Sequence, residues 1–70
     1  SEQGTYIICM NKIKISEDVT DEMLSEKDIH FICSSKIYCK QNVYGYIAAN
    51  SQGTDKIITD VEAYNKFIIK

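Results

Sequence analysis

The 70-residue sequence predicts an α+β fold: a small, mainly antiparallel sheet of three to five strands, an acidic helix in the N-terminal half and a C-terminal helix. Three observations carry this expectation. Twelve isoleucines stand against a single leucine, Leu24, and branching at Cβ suits a pleated surface. Residues 29–49 are rich in strand formers broken by short polar turns. Two further stretches, one following Ser16 and one following Thr54, space their apolar residues at helical intervals. A chain of 70 residues has room for one core, so residues 1–70 are read as a single small globular domain.

Residues 5–15 read as extended. Ile7, Cys9, Ile13 and Ile15 fall on one face, interrupted by Asn11, while Lys12 and Lys14 face the other way. Asn11-Lys12 is an alternative turn that would fold this stretch into a short hairpin. Ser16 then offers a hydroxyl to the first free backbone N–H groups of a helix, with Glu17 and Asp18 in its first turn. Thr20 would cap a shorter version. Val19, Met23 and Leu24 form a narrow apolar stripe on this helix, and carboxylates occupy the remaining circumference. Asp18, Glu22 and Glu26 recur every four residues, a repulsion of about 0.2–0.5 kcal/mol per pair, so tertiary packing must hold the helix.

Residues 29–34, 36–40 and 43–49 are predicted strands. Gln41-Asn42 would turn the last two into a hairpin with Tyr38 opposite Gly45. Asn50, Ser51, Gln52 and Gly53 form a loop. Thr54 resembles a cap, and Ile57, Val61, Tyr64 and Ile68 form a helical stripe, with Lys66 and Lys70 late in the segment where the dipole favours cations. The branched residues Ile57, Ile58, Thr59 and Val61 support an alternative, a strand over 56–59 before a shorter helix. No internal repeat or low-complexity tract stands out.

The same residues exclude several function classes. No apolar run approaches the roughly 18–20 residues a membrane span needs. Ser1-Glu2-Gln3-Gly4 lacks the pattern of a secretory leader. Three cysteines (Cys9, Cys33, Cys39) are an odd number, which favours a reduced, cytoplasmic chain. His30, Cys33 and Cys39 lack the paired spacing of a zinc knuckle, and His30 and Cys33 would face opposite sides of a strand. No metal or other cofactor is therefore expected. A Cys–His nucleophile would need an orienting group and an oxyanion site, and Gly4, Gly45 and Gly53 are too scattered to cradle a phosphate. The chain is read as non-enzymatic.

Two surfaces remain. Lys36, Tyr38, Lys40, Asn42, Tyr44 and Tyr46 interleave cations with stacking rings, the mixture a single-strand nucleic-acid binder uses. A net charge of −2 and the absence of arginine weigh against it. The acidic stretch holds six of the ten acids (Glu17, Asp18, Asp21, Glu22, Glu26 and Asp28) against Lys27 alone. Such a surface accelerates encounter with a basic partner. The sequence thus points to a protein-interaction module, a small inhibitor or regulator of the kind phage and mobile elements use. Glu17, Asp18, Asp21, Glu22 and Glu26 would steer it to a basic protein surface, with Tyr38, Tyr44 and Tyr46 as anchors. A third alternative is a structural subunit that dimerises by pairing an exposed edge strand with itself.

Overall fold

Partner strands in this protein lie 24 or 20 residues apart, as in Thr5 with Ile29, Ile13 with Ile37 and Ile37 with Ile57, and every pairing is parallel. The computed structural model describes residues 4–67. Its elements are β1 (Thr5–Cys9), β2 (Ile13–Lys14), α1 (Asp21–Glu26), β3 (Ile29–Cys33), β4 (Lys36–Tyr38), α2 (Tyr44–Ala49), β5 (Ser51–Gln52), β6 (Lys56–Ile58) and α3 (Val61–Lys66). A 3-10 turn over Gln41–Val43 leads into α2. Two three-stranded sheets result, ordered β1-β3-β5 and β2-β4-β6. The expected antiparallel sheet is therefore wrong. Parallel neighbours need a crossover of a dozen residues or more, and here each crossover contains a strand of the other sheet and a helix.

The chain climbs in two full coils, β1–β2–α1 and β3–β4–α2, and begins a third with β5 and β6, after which α3 leaves the stack. This is a short solenoid, in which each repeat buries its apolar side against its neighbours. An internal repeat is present after all. Lys12-Ile13, Lys36-Ile37 and Lys56-Ile57 stand at equivalent register positions. Ser16 and Lys40 both accept from an N–H three residues on, Val19 at 3.1 Å and Val43 at 3.2 Å.

The core lies within the second coil and draws on all three of its sides: Ile29, Phe31 and Cys33 from the first sheet, Ile37 and Cys39 around β4, and Val43 and Ile47 around α2. Leu24 of α1 joins them, and Cys9, Ile13, Ile15, Val19 and Ile57 of the flanking coils pack against them. Tyr46 locks two coils together, because its hydroxyl donates to the carbonyls of Ile29 (2.8 Å) and Leu24 (3.2 Å). The corners are tied too. Ser34 Oγ donates to the Met10 carbonyl at 2.9 Å, and the Asp55 N–H donates to the Ser35 carbonyl at 2.9 Å. Gly53, at the third corner with φ +75, leaves 3.3 Å between its missing Cβ and the Cys33 carbonyl, so a side chain there would be both strained and crowded.

Three local expectations change. Helix α1 starts at Thr20, whose hydroxyl accepts from the Met23 N–H at 3.2 Å, so the shorter version forms and Ser16 to Val19 make a turn. Residues 43–49 are helical rather than extended, since Val43 and Ile47, four apart, both point into the core. The long C-terminal helix is replaced by β6 and a shorter α3 capped by Asp60, which accepts from the Ala63 N–H at 2.9 Å. Thr54 caps no helix. Ile68 and Lys70 lie outside the described residues.

Helix α3 turns back over the second sheet. Tyr64, buried, donates its hydroxyl to the Ile15 carbonyl of the first coil, and the Phe67 ring lies 4.8 Å from that of Tyr38. Lys14 and Lys40 sit 4.4 and 5.2 Å from the centre of the Tyr64 ring.

Candidate interaction surface

All five carboxylates singled out in the sequence fall on the first coil and are exposed. Asp21, Glu22 and Glu26 project from α1, while Glu17 and Asp18 occupy the turn before it. Among the described residues, Glu17 is the one member of this group with a lysine within reach, Lys40 at 4.0 Å. A cleft of about 340 Å³ beside it is lined by Lys14, Ser16, Tyr64 and Asn65. Burial, then the charges of Glu17, Cys39 and Asp18, pushes the Tyr64 phenol up from its ordinary pKa.

The three tyrosines do not converge. Tyr38 lies under Phe67, and Tyr46 spends its hydroxyl on two backbone carbonyls. Burial and the charge of Asp28 raise the Tyr46 pKa, against the opposing pull of its hydrogen bond to the Ile29 carbonyl. Tyr44 alone remains exposed, on α2. The expected lysine–tyrosine hairpin does not exist, because Tyr44 and Tyr46 stand on a helix and Tyr38 on a strand of a parallel sheet.

Other apolar groups take their place at the surface. On the outer side of the first sheet the Tyr6 and His30 rings stack with centroids 5.0 Å apart and planes at 22°, and Ile8 lies in register with Ile32. His30 Nε2 is 2.9 Å from Asp28 Oδ1, a contact that the left-handed conformation of Asp28 (φ +51) sets up at the entrance to β3. Ile8 is 70% exposed and Met10 76%, so the most accessible apolar side chains belong to the same coil as the acids. The sequence signal for them was present. Tyr6-Ile7-Ile8-Cys9-Met10 carries no charge on either face, unlike a strand with one wet side.

The cysteines are placed as small apolar groups. Cys9 and Cys33 are register partners facing the interior, and Cys39 is fully buried. Burial first, and then the neighbouring Cys33, pushes the Cys9 thiol up to about 11. Burial also raises Cys39. His30 sits on the opposite face from Cys33, and no group of three or more His, Cys, Asp and Glu side chains converges among the described residues. None of the helices among the described residues is long and apolar enough to cross a membrane.

Comparison with protein families, curated proteins and solved structures finds no match to this chain.

Proposed function

We propose that this protein is a non-enzymatic interaction module that docks onto a basic surface of another protein through its first coil, in the manner of a small inhibitor or regulator. The observation that carries this is the set of exposed carboxylates Glu17, Asp18, Asp21, Glu22 and Glu26, four of them without a lysine within salt-bridge distance among the described residues. Tyr6, Ile8, Met10 and Met23, exposed on the same coil, supply apolar area beside the charge. An apolar centre with a charged rim is the usual anatomy of a protein interface. Tyr44, exposed on the neighbouring α2, remains an anchor side chain, and Tyr6 of the first coil joins it. Three free cysteines fit a reduced, cytoplasmic setting.

The test is charge reversal. Asp18, Glu22 and Glu26 changed together to lysine should leave the circular-dichroism spectrum intact and weaken binding to a partner captured from the source extract by about tenfold or more at low salt. The loss should shrink as salt rises. Equal affinity of variant and wild type would remove the acidic coil as the docking surface. An anisotropy titration with a labelled single-stranded oligonucleotide at low salt should show no binding, and saturable binding would favour the nucleic-acid alternative instead.

A further inference from the structure

The four sheet edges are unequal. The β5 edge is two residues long and polar, Ser51 and Gln52. The β2 edge is also two residues, and β6 opens with a lysine, Lys56. The β1 edge runs for five residues, Thr5 to Cys9, without a charge, proline or bulge to block pairing. Because the Thr5 N–H donates to the Asp28 carbonyl at 2.9 Å, Thr5, Ile7 and Cys9 spend their backbone groups on β3. Tyr6 and Ile8 turn theirs outward. Ile7 points toward the interior, as its register partner Phe31 does, yet remains 39% exposed because no coil among the described residues lies against that side.

We propose that this edge is a self-association surface, on which β1 pairs antiparallel with β1 of a second copy about a twofold axis through Ile7. That register satisfies the geometry of both strands. Tyr6 and Ile8 of one copy meet Ile8 and Tyr6 of the other as hydrogen-bonded pairs. Ile7 meets its counterpart as the close, non-hydrogen-bonded pair on the axis. Outward residues stay outward, Ile7 becomes buried, and the two first sheets fuse into one continuous sheet.

Charge selects the same arrangement. The twofold axis reverses the path of one coil relative to the other, so the second-sheet side of one copy lies over the helical side of its partner. Lys12 of one copy, which is exposed, is thereby brought to the side of α1 of the other, which carries Glu22 and Glu26, while Lys14 stays engaged with Tyr64 and the Phe67 carbonyl. A head-to-tail stack of β1 on β5 would instead lay like sides over like and match five residues against two. The pairing shares Ile8, Glu22 and Glu26 with the docking surface above, but it is read on the protein alone, with no partner present, so its failure and the failure of the docking reading are distinguishable.

Sedimentation equilibrium of the 70-residue chain under reducing conditions tests it. The mass should rise with concentration to twice that of the monomer. Hydrogen exchange should slow by about tenfold or more at the Tyr6 and Ile8 amides on association, with Ile7 little changed. Ile8→Lys, at an exposed position, should keep the fold and stay monomeric. Lys12→Glu alone, or Glu22→Lys with Glu26→Lys, should weaken the dimer by about fivefold to tenfold, and mixing the two variants should restore it. A monomer mass at every concentration overturns the proposal. So does a dimer that survives Ile8→Lys or leaves the Tyr6 and Ile8 amides exchanging as before.

Discussion

Ile7 and Phe31 occupy equivalent places in adjacent coils, and so do Ile13 and Ile37. Phe31 is 1% exposed and Ile37 is 0%, whereas Ile7 keeps 39% of its surface and Ile13 is only half-buried. The apolar character of the two coils is similar, but among the described residues the second has a neighbour on each side and the first on one. In a stacked fold, burial follows position in the stack more closely than hydropathy. The first coil therefore carries both the apolar area and the charge that an interface needs.

The largest effect expected from this difference is at the centre. Ile37→Ala should cost about 3–4 kcal/mol, since the site is enclosed on all sides and leaves a cavity. Ile7→Ala should cost about 1 kcal/mol in dilute solution, where one face of the side chain is already wet. Urea denaturation measures both. Equal costs at low concentration would mean that the first coil is covered in the monomer, and the contrast between the coils would fall.

Next comes the tie between coils. Tyr46→Phe removes a hydroxyl that serves two carbonyls, Ile29 and Leu24, and should cost about 1–2 kcal/mol. Tyr44→Phe, at an exposed position on the same helix, should change stability by no more than about 0.5 kcal/mol. If both are silent, the coils are held by apolar packing alone.

The last effect, silent at neutral pH, concerns Cys9. Its thiol is raised from 9.0 to about 11 in the folded chain, so the native state holds a proton that the unfolded chain releases earlier. Stability from this source is complete below pH 9.0 and is lost as pH rises toward about 11. Tyr46, Tyr64 and Cys39 are shifted in the same direction and add to the decline. The melting temperature should fall over that window, and Cys9→Ser should flatten the curve. A wild-type curve that rises with alkali would contradict the burial of these four groups.

Several elements were legible in the sequence because their signals are local. The strands at 29–34 and 36–40 correspond to β3 and β4, and Ile7, Cys9, Ile13 and Ile15 face inward as their odd spacing implies. That inward face nevertheless belongs to two sheets, because the chain bends between Cys9 and Ile13 instead of continuing or doubling back. Residues 43–49 misled for a physical reason. Val43, Tyr44, Tyr46 and Ile47 favour a strand intrinsically, but Val43, Tyr46, Ile47 and Asn50 also form an i, i+3, i+4, i+7 stripe, and packing selected the helix. The Asn50 side chain bonds back to the Tyr46 carbonyl at 2.9 Å to close it. Of the candidate site, the acidic stretch was readable as charge. The internal packing of Tyr38 and Tyr46 was not, since it depends on Phe67 and on the Leu24 and Ile29 carbonyls, all remote in the chain.

By itself the sequence determined where charge and apolar residues alternate, which set the strands of the second coil, the acidic character of the first and Thr20 as one of two candidate caps for α1. The Asp60 cap of α3 appeared only in the fold. Tertiary structure decided that strands would pair with partners 24 and 20 residues away, in parallel. Parallel pairing carries no short-range turn signature, and its repeat survives in this chain as little more than a recurring Lys-Ile step. Which apolar residues became core and which became surface was settled only when the coils stacked, because a side chain facing the interior is buried only where another coil lies against it.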